Sequence, residues 1–320
     1  MKSDEAAKVS VVITCFNGER WIGNAVESAL AQSYARREII IVDDASTDGS
    51  RDILRRYQSR SDVNLVVHEK TLGIPAAKNA GLAKCNGRYV AFLEQDDSWF
   101  GDKLERQVEA MEADPACAMV FCEAVVVPPG GHQYLRRRSV RIPDSTEGRV
   151  ELFFLNYPVI SMSSVMLRRT VLTELGGFDE SCSGGDDYAL FLLLAGRYRV
   201  AFIDKPLLRY RWHPSSFSWR HMDRMLEDHL RIVTGAVAQY PHLAPLERRR
   251  VAQIWLSAAL RLHENKQTAQ AYASAWKALR ADPRFIKTVP ALGLITMGPL
   301  GRWVARRIRW SIQFTRRLTI

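Results

Sequence analysis

A chain of 320 residues that is 47% hydrophobic can bury a sizeable core, which excludes a disordered or low-complexity protein and points to one large domain with an extension, or to two domains. The net charge of +10 raises the question of nucleic acid, but six of those charges are Arg302, Arg306, Arg307, Arg309, Arg316 and Arg317, with no acid among them, leaving +4 elsewhere. Cys15, Cys85, Cys117, Cys122 and Cys182 form no CxxC pair, so reduced thiols are expected, without a zinc site or a disulfide frame.

The first eight residues carry Asp4 and Glu5 and no apolar run, reading as neither secretory signal nor membrane anchor; a cytoplasmic protein is expected. Residues 9–14 are a continuous β-branched apolar run, followed by Asn17-Gly18 and then by Trp21, Ile22, Val26, Ala29 and Leu30 at helical spacing. This predicts strand, loop, helix. The pattern repeats with a strand over 38–42, a polar loop over 43–49 capped by Ser46 or Thr47, and a helix burying Ile53, Leu54 and Tyr57. A third unit has a strand over 64–68, a helix over 74–85 and a strand over 89–93 that breaks into Glu94-Gln95-Asp96-Asp97. Strands alternating with helices imply right-handed parallel crossovers, hence a mostly parallel α/β sheet with helices on both faces. Further on, a helix over 104–111, a strand over 118–127, a strand near 163–167, a helix over 186–194 and a strand over 199–203 are expected. From about residue 219 three helical stretches run to about 282, with Ala269, Ala271, Ala273, Ala275 and Ala278 suited to close helix pairing.

Thr14 to Asn17, Asp43-Asp44 and Glu94 to Asp97 each lie just past the carboxyl end of a predicted parallel strand. In one sheet these ends share an edge, where open α/β sheets bind ligands. A single acid there reads equally well as a turn former; three such loops on one edge read as a pocket mouth. The acids of residues 94–97 are close enough to raise one another's pKa, a strain that a divalent cation relieves. Magnesium or manganese, which take carboxylate and phosphate oxygens, suit such a loop.

Thr14-Cys15-Phe16-Asn17, the run from Val42 to Gly49, Gly73 followed by Ala76-Ala77-Lys78-Asn79-Ala80-Gly81, and Phe92 to Trp99 together resemble the ordered signature of family 2 glycosyltransferases. The likeness continues through Gly176-Gly177-Phe178-Asp179, Asp186-Asp187-Tyr188 and Tyr210-Arg211-Trp212-His213, covering about residues 8 to 220. It implies the A-type glycosyltransferase fold, a Rossmann-like sheet here followed by a C-terminal helical extension. It also implies inverting transfer of a sugar from a nucleoside-diphosphate sugar to an acceptor hydroxyl, as in cell-surface polysaccharide or glycolipid synthesis. Carried over by position, Thr14, Asn17 and the Asp43-Asp44 pair hold the nucleoside, one of those acids reading the base edge. Gln95 lies near the ribose, Lys78 near the phosphates, and Asp96 ligates Mn2+ or Mg2+ beside Glu94. Of the Asp186-Asp187 pair, Asp187 is expected to be the catalytic base, since a base must reach the acceptor hydroxyl on the face opposite the leaving diphosphate. His213 faces the diphosphate or the metal, or is a surface histidine; Trp99 and Trp212 stack on sugar or are buried aromatics. Glu94 stands where the family usually has Asp, Lys78 where an arginine is common, and Asp186 where Glu is usual.

The resulting domain reading is a nucleotide-sugar-binding catalytic domain over 8–218, a helical extension over 219–282 and a basic tail over 283–320. Residues 288–301 lack charge but are too short and too broken by Pro and Gly to span a bilayer. At helical spacing Trp303, Val304, Ile308, Trp310, Ile312, Phe314 and Leu318 share one face and most of the arginines the other, the pattern of a helix lying on an anionic membrane surface or docked on its own protein. The expected partners are a nucleotide-sugar donor, a UDP-sugar foremost, a saccharide or lipid-linked acceptor, and that inner membrane face, without nucleic acid. Rivals are a nucleotidyltransferase and a nucleotide-binding protein without transferase activity. A dinucleotide-dependent oxidoreductase would show GxGxxG after the first strand, where Thr14-Cys15-Phe16-Asn17-Gly18-Glu19 stands.

Overall fold

In the computed structural model, which describes residues 6–129, 133–136, 140–157, 161–213 and 215–285 with positions 293, 295 and 298 beyond them, the apolar runs become strands. In chain order these elements are β1 (Val9–Cys15), α1 (Ile22–Leu30), β2 (Arg37–Asp43), α2 (Ser50–Arg55), β3 (Val63–Val67), α3 (Ile74–Leu82) and β4 (Tyr89–Glu94). Then come β5 (Ser98–Trp99), α4 (Lys103–Ala113), β6 (Cys117–Val127), β7 (Tyr134–Arg136), α5 (Thr146–Asn156), β8 (Val165–Arg168), α6 (Arg169–Glu174), α7 (Asp186–Arg197) and β9 (Arg199–Arg211). Helices α8 (Phe217–Arg220), α9 (Met222–Gln239), α10 (Ala244–Glu264) and α11 (Thr268–Ala281) complete it. Two units form: Met1–Ile142 with Pro158–His213, and Pro143–Tyr157 with Pro214–Ile320.

The first unit holds one sheet in the order β3-β2-β1-β4-β8-β6-β9-β5, with β7 on β6. Strands β1 to β4 are all parallel, and β1 aligns with both neighbours so that Thr14 lies opposite Val42 and Glu94. Past β4 the directions mix: β8 runs antiparallel to β4 and β6, and β9 parallel to β6. Alternation sorts the faces. Val9, Val11, Ile13 and Cys15 of β1 share a core with Ile22, Ala25, Val26 and Ala29 of α1 and Leu104, Val108 and Met111 of α4. Val12 points the other way, so close to α3 that a methyl on Gly81 would collide with it. Helices therefore cover both faces of the parallel half, and its carboxyl strand ends form one open edge.

Several elements depart from the sequence reading. The helix after β2 starts at Ser50 and has no side-chain cap. Ser46 instead accepts from Asn17 N–H, and its own N–H goes to Asp43, so the loop curls back to the strand end before any helix begins. Strand β9 runs on to Arg211, eight residues past the expected end at 203. Helix α5 went unforeseen; Ser145 caps it by accepting from Gly148 N–H at 3.1 Å.

In the second unit, Ala271, Ala275 and Ala278 of α11 are buried, with Ala252 and Ala259 of α10 in the same clusters, as small-residue spacing predicts for close helix pairing. Among the described residues no helix is long and apolar enough to cross a membrane. The arginine-rich stretch from 301 onward lies outside the described residues.

Candidate active site

The open edge is built by loops that lock one another. Asn17 takes a left-handed backbone, φ 50°, and its Oδ1 accepts from Thr47 N–H at 2.8 Å. The amide of Gln95 closes on the Phe16 backbone at both ends: Oε1 accepts from Phe16 N–H at 2.8 Å and Nε2 donates to the Phe16 carbonyl at 3.1 Å. A side chain on Gly18 would strike that amide, which explains glycine there. Thr14, half-buried, precedes this loop in register with Glu94.

The two acids after β2 differ sharply. Asp44 uses both carboxylate oxygens inside the protein, binding His68 Nδ1 at 2.8 Å, Leu72 N–H at 2.8 Å and Gly73 N–H at 2.9 Å, and so fastens the segment between β3 and α3. Asp43 is fully buried; Oδ2 accepts from Arg51 Nε at 2.8 Å, while Oδ1 meets no donor. An acceptor left so is worth about 1 to 3 kcal/mol of unmet hydrogen bonding, which a ligand N–H can satisfy. Of the pair, Asp43 is the acid that keeps a carboxylate oxygen without a donor.

Glu94, Asp96 and Asp97 turn off the end of β4 with ligand oxygens within 4.8 Å of one another. Burial and then the Asp96 charge push the Glu94 carboxyl up to about 8, against the pull of Lys78. Asp97, buried, is held well above the carboxylate range by burial and the charges of Asp96 and Glu94. Its oxygens accept from Arg211 N–H at 2.9 Å and Ser161 Oγ at 3.3 Å, so Asp97 shapes the loop, and Glu94 and Asp96 keep the more open positions. His213 Nε2 sits 2.9 Å from Asp96 Oδ2, bringing the Arg211-Trp212-His213 segment to the acidic loop. That leaves the surface reading of His213 behind: its side chain is 14% exposed, and its ring lies 5.8 Å from that of Trp21. The Glu94 and Asp96 carboxylates offer oxygen donors of the kind that manganese or magnesium takes, with the His213 imidazole held beside Asp96.

Asp186 and Asp187 open α7. Asp186 is buried and pairs with Lys78 Nζ at 2.8 Å, whereas Asp187 is half-buried. Burial alone would lower the Lys78 pKa, yet the charges of Asp186, Asp187 and Glu94 leave it raised, so the ammonium is retained among three acids. The Lys78 charge is thus directed at the α7 carboxylate.

Trp99 is a core residue: it is 3% exposed, and its Nε1 donates to the Ser163 carbonyl at 2.8 Å. Trp212 is half-buried. The sequence reading assigned no part to Ser163, whose Oγ accepts from Glu94 N–H at 3.0 Å, to Ser161, or to Arg211, whose Nε donates to the Asp96 carbonyl at 3.0 Å. The cluster Ser161-Met162-Ser163-Ser164 before an apolar strand was the available signal.

The family described as "Glycosyl transferase family 2" matches residues 10–176. The glycosyltransferase TuaG of Bacillus subtilis, assigned to teichuronic acid biosynthesis, is 45% identical over 114 residues, 35% of this chain and 45% of that one, so the chain spans less than half of that relative's length. Among solved structures, residues 1–349 of TarS from S. aureus in complex with UDP-GlcNAc superpose with a TM-score of 0.61 at 18% identity, over 95% of this chain and 92% of that one. The mannosyltransferase PcManGT from Pyrobaculum calidifontis, in complex with GDP-Man and Mn2+, gives 0.60 at 20% identity, over 97% and 86%. At these identities the two structures establish a shared fold, of the A-type glycosyltransferase class.

Proposed function

The chain belongs to glycosyl transferase family 2, and from that membership we propose that it moves one sugar from a nucleoside-diphosphate sugar to an acceptor hydroxyl, with inversion, in cell-surface polysaccharide or glycolipid synthesis. The observation that carries the proposal is the shared end of β1, β2 and β4, which holds Asp43 with its unmet Oδ1 and the acidic loop Glu94 to Asp97, with the α7 carboxylates near enough to act on Glu94 and to pair with Lys78.

Asp43 reads the nucleobase. Its lone unmet oxygen needs an N–H, which uracil offers at its imide and guanine at N1 but cytosine lacks at the equivalent ring nitrogen; among the bases that fit, a UDP-sugar is the proposed donor. Thr14, Asn17, Asp44 and Gln95 shape the nucleoside cleft through the loops they lock. Asp96, Glu94 and His213 would hold Mn2+ or Mg2+, which supplies Lewis-acid stabilisation of the leaving diphosphate. Asp187 takes the proton from the acceptor hydroxyl as that oxygen attacks the anomeric carbon from the face opposite the diphosphate. Its half-exposed place supports this role, while Asp186 is committed to Lys78. In this reading the catalytic domain expected over 8–218 is carried by the first unit, 8–142 with 158–213, and the helical extension by the second, which takes in 143–157 as well as the helices after 213. The tail over 283–320 is proposed to rest on the anionic inner face of the membrane, where a lipid-linked acceptor would be met.

The test is release of nucleoside diphosphate from a panel of sugar nucleotides with manganese or magnesium. Release from a UDP-sugar, suppressed by chelation, is expected; pyrophosphate in its place would mean nucleotidyl transfer.

A further inference from the structure

Two consecutive residues of α3 grip the chain that leads to α7. Lys78 Nζ holds Asp186 at 2.8 Å, at the far end of that chain. The neighbouring Asn79 holds its near end: Oδ1 accepts from Phe178 N–H at 2.8 Å, and Nδ2 donates to the Phe178 carbonyl at 2.9 Å and to Glu180 Oε1 at 2.8 Å. An amide bonded through both its acceptor and its donor has its plane fixed, and it fixes its partner's backbone in return. The residue before Phe178 is built around it. Gly177 has a left-handed φ of 81°, and a Cβ there would come within 2.5 Å of Asn79 Oδ1. Phe178 itself is buried edge-on against Phe92 of β4, ring centroids 5.1 Å apart, two residues before Glu94. The turn carrying Phe178 is thus referenced at once to α3 and to the strand that ends in the acidic loop.

We propose that Asn79 is a positioning residue for the transfer reaction, setting where the first turn of α7, and with it Asp187, stands relative to the acidic loop at the end of β4. The inference rests on the glycosyltransferase reading. Asn79 is given no contact with donor or acceptor; it acts through Phe178 and the segment beyond it. Misplacing a reacting group by about 1 Å can lower turnover about 10²-fold without weakening substrate binding. Asn79→Ala should accordingly lower kcat by about 10-fold to 10²-fold, with affinity for UDP in the presence of Mn2+ unchanged by calorimetry.

A double-mutant cycle with Asp187→Asn separates positioning from general structural damage. If Asn79 works through the base, adding Asn79→Ala to Asp187→Asn changes the residual turnover little. Equal losses in the two backgrounds, or UDP affinity falling in step with kcat, would overturn the assignment. Should Asn79→Ala fail to fold, Asn79→Asp keeps the shape and the bond from Phe178 N–H but loses the donor, and full kcat in that variant would equally overturn it. If Asp187→Asn retains full turnover, it is the assignment of the base that fails, and the outcome is recognisably different.

Discussion

Lys78 and Asp186 lie 108 positions apart in sequence and 2.8 Å apart in space, both side chains 4% exposed. This pairing divides the work of two adjacent carboxylates. Asp186→Asn leaves a buried ammonium without its partner, a change that costs about 3 to 5 kcal/mol at such sites, so a large fall in thermal midpoint is expected with activity lost through the fold. Asp187→Asn should instead melt close to the parent, retain donor binding and lose about 10²-fold or more in turnover. Thermal unfolding and steady-state kinetics on both variants decide it. If Asp186→Asn is fully stable and crippled while Asp187→Asn is active, the roles are reversed.

The acidic loop makes a prediction about pH. The folded Glu94 carboxyl is raised from an ordinary 4.5 to about 8, so without metal the folded chain keeps a proton that the unfolded chain gives up. Between those values the folded state binds more protons, and the stability of metal-free protein should fall as pH rises through about 4.5 to 8. Asp97, shifted in the same direction, steepens that fall. Manganese should restore the midpoint most strongly near pH 8, and Glu94→Gln should flatten the metal-free slope. Midpoints of chelated protein that do not decline with pH would contradict the electrostatic reading of the loop.

Asp43 and Asp44 are adjacent acids with separable effects. Asp43→Ala should weaken UDP binding by about 10-fold or more, the worth of a hydrogen bond to a charged acceptor. Asp44→Ala, which releases His68, Leu72 and Gly73 together, should lower stability more than affinity. Calorimetry with UDP and CDP checks both; equal affinity of the parent for the two nucleotides would remove Asp43 from base recognition.

The tail prediction concerns residues 283–320. Each arginine near an anionic leaflet contributes about 1 kcal/mol, so the full chain should sediment with anionic vesicles at low salt and dissociate as screening rises. A truncation ending at Asp282 should not sediment. Equal sedimentation of both, or unfolding of the truncation, would make the tail a docked helix.

Much of this site was legible from order alone, because β-branched runs and the acids that follow them are local in sequence; Thr14, Asp43 and Glu94 stand at the strand ends where alternation put them. The division of labour within each acidic pair was not. It depends on Arg51, His68 and Lys78, and a sequence does not mark which cation a carboxylate meets after folding. The same limit hid what Arg211 bonds to, since its backbone N–H reaches Asp97 across 114 positions. Trp99 was ambiguous for another reason: an aromatic beside a pocket and one beneath it have the same sequence signature, and only the bond to the Ser163 carbonyl separates them.

The most direct test of the account follows the anomeric carbon. With an α-linked UDP-sugar labelled at that carbon, NMR of the first product formed by the manganese-loaded enzyme should show the β anomer together with UDP, and Asp187→Asn should suppress its formation about 10²-fold or more. A product that retains the α configuration, or release of a nucleoside monophosphate or pyrophosphate with the sugar still phosphorylated, would contradict inverting sugar transfer at this site.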